Sequence, residues 1–272
     1  MKLICLVENT EGNNGCIAEH GLSLYAETTS HKFLLDFGQT DAMIKNAEKL
    51  GIDLTQADTA FLSHGHYDHS GSLLKFAEIN PKALIYMQRK ALEKHFHGER
   101  YIGIDEKIAK LPNLVQLDGN HEIDDELSVF SGITGRRLYP QGNLELEMEQ
   151  NGFREIDNFS HEQCIVANDK GRRYLLSGCS HNGILNILDK FRELYSGEPD
   201  TVITGFHLMK KTEYSNSEID IIKATAKELS KMKTVFISGH CTGIPAFNIM
   251  KEIMGDKLLA MHSGEEIKSG EL

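Results

Sequence analysis

Two hydrophobic rhythms alternate along this chain: short β-prone runs bounded by polar turns, and longer stretches with an apolar stripe at helical spacing. Residues 22–28 and 32–36 flank a polar turn around Ser30 and predict a hairpin. Residues 40–50 place Ala42, Met43, Ala47 and Leu50 on one helical face, closed by Gly51. A buried strand is expected at 59–63, a helix at 70–79 ended by Pro81, and a strand at 83–87. The second half repeats the alternation. Strands at 163–167 and 172–177 flank the turn Asn168-Asp169-Lys170-Gly171, helices follow at 184–195 and 217–231, and strands at 201–204, 234–238 and 257–261. The stretch 95–158 is less regular, with strands at 114–117 and 127–133 and a glutamate-rich segment at 144–150 of unsettled structure. It reads as an insertion shaping a pocket rim. Hairpins and βα units in each half point to an α/β fold of sheets flanked by helices, and no linker or repeat divides residues 1–272, so a single domain is expected.

Composition narrows the classes. The 272 residues carry 40 acidic against 29 basic side chains, a formal net charge of −11, with 40% hydrophobic and 25% charged residues. Disorder, collagen-like repeats and a disulfide-stapled miniprotein are excluded by that balance. An acidic chain is also a poor partner for nucleic acid or an anionic membrane, whose binding rests on basic patches. The cysteines, Cys5, Cys16, Cys164, Cys179 and Cys241, form no CxxC pair and no disulfide framework. The apolar stretch before Glu8 is too short for a signal peptide or a membrane span, so a cytoplasmic location with reduced thiols is expected.

The 13 histidines change the picture through their positions. The strand at 59–63 runs into His64-Gly65-His66-Tyr67-Asp68-His69, that at 172–177 into Gly178-Cys179-Ser180-His181, that at 201–204 into Gly205-Phe206-His207, and that at 234–238 into Gly239-His240-Cys241. Carboxyl ends of strands in open α/β sheets are where ligands bind. Four imidazole-bearing strand ends therefore argue for a metal site. Alternating donors cannot all reach one ion. His64 and His66 are expected on one metal and Asp68 and His69 on a second, with His181 and His240 supplying further ligands. A hydrogen-bonded turn with capping histidines is the bland alternative.

The hexapeptide, with Phe33-Leu34-Leu35-Asp36-Phe37-Gly38 before it, resembles the metallo-β-lactamase superfamily over nearly the whole chain. The resemblance is closer to dihydropterin-ribofuranosylaminobenzene phosphate synthase-like members through Glu19-His20-Gly21-Leu22-Ser23, Ser177-Gly178-Cys179-Ser180-His181-Asn182-Gly183, Gly205-Phe206-His207-Leu208 and His240-Cys241-Thr242-Gly243. It implies a four-layer αββα sandwich with a binuclear site at one edge, and Asp36 buttressing the ligand loop. Most hydrolases of the superfamily carry a bridging aspartate where Cys179 stands, so either the thiolate ligates or His181 takes over. A thiolate favours zinc or iron over manganese. The other reading of Cys179 is a small buried hydrophobe. The third ligand of the first metal would ordinarily come from just before the preceding strand, where His161 and Glu162 stand, and His181 is preferred to His161.

Other residues carry two readings each. His207 donates to substrate or packs in the core; His20 reaches the site or holds a turn; Arg136 and Arg137 bind a phosphate or form a solvated face. Cys241 reads as packing, and His31, His95, His97, His121 and His262 have no context that singles them out. The expected function is a metal-dependent hydrolase. Two divalent ions, zinc before iron or manganese, would activate water against an ester, lactone or phosphoester, with Asp68 orienting the water and His207 stabilising negative charge. Two alternatives stand beside it: a transferase joining a pterin-methyl group to an arylamine, and a binding or regulatory protein without turnover. The substrate is expected to be a small molecule, and an anionic one is admissible, since two divalent ions would make a positive spot on an acidic protein.

Overall fold

The computed structural model describes residues 1–267. In chain order its strands are β1 (Lys2–Val7), β2 (Ser23–Glu27), β3 (Lys32–Leu35), β4 (Thr59–Phe61), β5 (Leu84–Gln88), β6 (Lys94–His97), β7 (Arg100–Tyr101), β8 (Leu114–Leu117) and β9 (His121–Glu122). They continue as β10 (Leu127–Phe130), β11 (Leu146–Gln150), β12 (Phe153–Ile156), β13 (Cys164–Asp169), β14 (Arg172–Leu176), β15 (Thr201–Thr204), β16 (Val235–Ser238) and β17 (Leu258–Ala260). The helices are α1 (Ala42–Lys49), α2 (Tyr67–Ser70), α3 (Leu73–Ile79), α4 (Ile184–Leu194), α5 (Asn216–Ser230) and α6 (Ile244–Met254).

One sheet has the order β1-β2-β3-β4-β5-β8, antiparallel through β3 and parallel beyond it. The other runs β17-β16-β15-β14-β13-β10-β9, parallel from β14 to β17 and antiparallel beyond. Side-chain alternation builds the layers from this. Phe33, Leu35 and Phe61 point into the core between the sheets and meet Ile165, Leu176 and Ile237. Leu34, Ala60 and Leu62 point the other way, onto α1 and α3. Leu175, Val202 and Phe236 likewise face α4, α5 and α6. The result is the helix-sheet-sheet-helix sandwich expected from the sequence.

Two local expectations change, and one open segment is settled. The helix expected at 70–79 is broken into α2 and α3, because Gly71 and Ser72 give their N–H groups to Gly38 O and Phe37 O at 2.7 and 3.1 Å instead of to a continuous helix. A Cβ on Gly71 would lie 2.0 Å from Gln39 O, so only glycine admits that crossing. The region 95–158, expected as an insertion shaping a pocket rim, is partly woven into the sheets: β8 edges the first, β9 and β10 join the second, and a small sheet, β12-β11-β6-β7, lies beside the site, with His97, Arg100, Ile102 and Leu146 lining its cavity. The glutamate-rich segment is β11, paired with β12 and β6. β1 and α6 are elements that the pattern did not announce; α6 opens with Pro245 in its first turn, a start signal independent of periodicity.

No helix among the described residues is long and apolar enough to cross a membrane.

Candidate metal centre

β3, β4, β14, β15 and β16 all end at one edge of the sandwich, and the loops after them carry the chemistry. Several residues there adopt left-handed backbone: Asp36 at φ 63°, Ser180 at 52°, His207 at 47° and His240 at 48°. Such strain persists only where surrounding contacts over-determine it, and it clusters at functional sites. Glu162, fully buried, supplies some of that constraint: Oε1 accepts from His181 N–H at 2.6 Å and Oε2 from Asn182 N–H at 2.9 Å.

The imidazoles are aimed by what their Nδ1 atoms do. Asp36 Oδ2 accepts from Ser63 Oγ, which then accepts from His64 Nδ1 at 2.8 Å, and the same Oδ2 accepts from His69 Nδ1 at 2.7 Å. His181 Nδ1 donates to Asn143 Oδ1 and His240 Nδ1 to Asn9 Oδ1, each at 2.9 Å. With the proton held on Nδ1, the neutral rings of His64, His181 and His240 each turn a bare Nε2 lone pair inward. His64 Nε2 then stands 3.2 Å from His181 Nε2, and His69 Nε2 3.1 Å from His240 Nε2. Two lone pairs facing at that distance, as between His64 and His181, repel unless a cation lies between them, and between His69 and His240 a proton or a metal ion can fill that place. Spacings of this size are those of ligands on a divalent ion with bonds of about 2.0–2.1 Å. The residues therefore fit a metal.

Among the described residues, His64, Cys179 and His181 offer ligand atoms within 4.8 Å of one another, and so do His69, Cys179 and His240. Cys179 is common to both, with its sulfur 3.2 Å from His69 Nε2. The His66 ring lies 4.6 Å from that of His64 and 4.8 Å from that of His181. Asp68 Oδ2 lies 3.5 Å from His240 Nε2 and 3.2 Å from His20 Nε2. His20 thus reaches the site, through Asp68.

Burial pushes His64, His66, His181 and His240 well below the ordinary imidazole value, which keeps them neutral and able to ligate. Burial also works to lower His69, but the Asp36 and Asp68 carboxylates outweigh it and bring the group up to about 9. Burial works to raise Asp68, and His69, His20 and His240 hold it below the carboxylate range instead. The Cys179 thiol is pushed well up by burial, so a bound cation is what would make it a thiolate.

Not every expected residue arrives. The Arg137 guanidinium is paired with Asp189 and Glu228, and that of Arg136 donates to Gly135 O, Asn182 Oδ1 and Asn158 O. Neither lines the cavity above the imidazoles, a space of about 450 Å³ whose cations are Arg100 and Lys211. His161 stands apart from the two groups that share Cys179, for both of its nitrogens are engaged elsewhere, with Gly65 N–H and Asp157. Cys241 is more than packing: it accepts from His207 N–H at 3.3 Å and gathers with Cys179 and His207. His207 lines the cavity with its ring 4.0 Å from that of His181. Asn9 and Asn143 are site residues that sequence alone did not mark, since amides 231 and 38 positions from their partners carry no local signal; Glu162, beside His161, holds the His181 loop by its backbone.

Comparison with known proteins bears on the family and the fold. The family model of the metallo-beta-lactamase superfamily matches residues 18–198. An uncharacterized protein of Methanocaldococcus jannaschii is 31% identical over 91% of this chain and 93% of its own. From the same organism, 7,8-dihydropterin-6-methyl-4-(beta-D-ribofuranosyl)-aminobenzene-5'-phosphate synthase is 27% identical, covering 98% and 96%. Among solved structures, a metal-dependent hydrolase of the beta-lactamase superfamily is 30% identical over 98% of both chains, with a TM-score of 0.83.

Proposed function

The chain belongs to the metallo-beta-lactamase superfamily, and we propose that it works there as a hydrolase whose centre holds two divalent ions. The carrying observation is the pair of facing nitrogens, His64 with His181 at 3.2 Å and His69 with His240 at 3.1 Å, around a shared Cys179. His64, His66 and His181 would hold one ion, and Asp68, His69 and His240 the other, with Cys179 within reach of both groups. The imidazole and sulfur donors favour zinc, then iron, over manganese. When bound, such ions activate water and polarise the bond under attack in an ester, lactone or phosphoester.

The chain's own residues do the rest. Asp36 orients His69 directly and His64 through Ser63. Asp68 lines the cavity and is the carboxylate placed to orient incoming water. His207, on the same cavity, donates to negative charge developing on the substrate. Tyr67, Ile102, Leu146 and Met209 give the cavity apolar walls, while Arg100 and Lys211 suit a small molecule with an anionic end. The reading takes residues 1–272 as one cytoplasmic catalytic domain.

The synthase relative favours a second reading with the same ligands, a transferase joining a pterin-methyl group to an arylamine. A turnover screen of the zinc-loaded protein on phosphodiesters, lactones and thioesters, run beside a pterin plus arylamine assay, separates the two. Hydrolysis that His64→Ala abolishes supports the first; formation of a pterin adduct without hydrolysis replaces it with the second.

A further inference from the structure

His66 and His95 each bury an Nε2 atom that meets no hydrogen-bond partner. Both belong to a buried group, His66, His95, Asp157 and His161, whose ligand-capable atoms lie within 4.8 Å of one another. Such a group resembles a further metal site, but its protons are already placed. Gly65 N–H donates to His161 Nδ1 at 2.9 Å, so the His161 proton is on Nε2, which lies 3.1 Å from Asp157 Oδ2. The same Oδ2 takes His95 Nδ1–H at 2.9 Å, and Asp157 Oδ1 takes Phe159 N–H at 2.7 Å. An ion on His161 Nε2 would need an imidazolate, because Nδ1 already faces a donor. What remains is a bare lone pair on His95 Nε2, an acceptor without a donor, in the same group as the unpartnered Nε2 of His66.

We propose that His95, backed by Asp157, is the positioning residue for His66: its Nε2 accepts the His66 Nε2 proton through one water, leaving His66 Nδ1 as the nitrogen offered to the metal. This inference rests on the metal-centre reading above. His66 lines the cavity and its Nε2 is fully buried; in the proposed arrangement Nδ1 is the nitrogen it turns to the metal. His64, His69, His181 and His240 present the opposite face, with Nδ1 held and Nε2 offered. His66 therefore needs its own outer partner, and His95 and Asp157 form the carboxylate-histidine relay that sets its tautomer and raises its basicity.

The test is zinc affinity of the full chain, measured by competition with a chromophoric chelator, in wild type, His95→Phe and His95→Gln. Phenylalanine keeps the ring and removes the acceptor; glutamine keeps an acceptor oxygen and loses the ring. Affinity for one of two ions should fall about 10–100-fold in His95→Phe and recover most of that in His95→Gln. The absorption bands of the cobalt-substituted protein should change in the first variant and not in the second. Wild-type affinity in His95→Phe overturns the inference. Should these variants not fold, nitrogen NMR of histidine-labelled, zinc-loaded wild type decides: a proton on His66 Nε2 supports the relay, and one on Nδ1 overturns it. Wild type that binds no zinc sinks the metal centre itself, a failure distinct from unchanged affinity in the variant.

Discussion

Asp36 Oδ2 and His69 Nδ1 lie 2.7 Å apart with neither side chain exposed to solvent, and the same oxygen also receives Ser63 Oγ–H at 2.7 Å. One carboxylate at the end of β3 thereby aims two imidazoles of the next strand's loop, His69 directly and His64 through Ser63. Its other oxygen takes Ser63 N–H at 2.7 Å, so the backbone of that loop hangs from the same residue. An asparagine at this position keeps the shape but removes the charge and one acceptor. Asp36→Asn should lower zinc affinity about 10–100-fold and destabilise the metal-free protein by about 3 kcal/mol. Chelator competition and urea unfolding measure the two effects, and loss of stability alone with unchanged affinity would count against the aiming role.

Purified protein supplemented with zinc during expression should contain close to two ions per chain. His64→Ala should remove at least one of them together with activity, while Cys179→Ala should reduce metal content only if the sulfur is a ligand. Elemental analysis reads both. Cys179→Ala retaining two ions at wild-type affinity would assign the thiol to packing.

Gly178 separates Cys179 from β14 and lies under Ser63. A Cβ there would stand 2.2 Å from Ser63 Oγ and 3.1 Å from Asp36 Oδ2, both locked in hydrogen bonds. Gly178→Ala should therefore cost about 1–3 kcal/mol and weaken metal binding by displacing Ser63. A thermal melt at wild-type temperature would show that the loop yields more easily than this packing allows.

Arg100 and Lys211 line the cavity, whereas Arg137 is committed to Asp189 and Glu228. Once a substrate with an anionic group is in hand, Arg100→Ala should raise KM several-fold with little change in kcat, and Arg137→Ala should leave both near wild type. Equal effects at the two positions would move the anion site away from the cavity mouth.

Ser215 and Glu218 close a capping box at the start of α5, and Lys210 lies 2.8 Å from the Glu218 carboxylate. Hydrogen bonds from Lys210 and Ser215 hold the Glu218 carboxyl down to about 2. A group depressed on folding contributes stability above its unfolded value, near 4.3, and loses it as pH falls from there through about 2. Ser215→Ala should cost about 1 kcal/mol at neutral pH, and the gap between variant and wild type should narrow in acid. A gap constant across that range would remove Glu218 from the cap's energetics.

Much of the centre is legible in the order of residues alone. His64, His66, Asp68 and His69 fall within one short loop, and each remaining ligand candidate follows a β-prone run by a few residues, so local spacing carries the information. The two-face alternation of Phe33, Leu34 and Leu35 likewise belongs to the strand itself. The orienting partners are not legible in this way. Asn9 meets His240 across 231 positions, Asn143 meets His181 across 38, and Asp157 meets His95 across 62.

Residue order along the chain, then, suffices for which groups can bind metal and which strand end delivers them, because backbone direction and side-chain alternation are local. Which imidazole nitrogen faces inward, whether Cys179 lies between two groups, and that His161 and Arg137 are occupied elsewhere are decided only when the two sheets pack face to face. Tautomer and pairing depend on partners brought within about 3 Å by folding, and no spacing in a linear sequence encodes those distances.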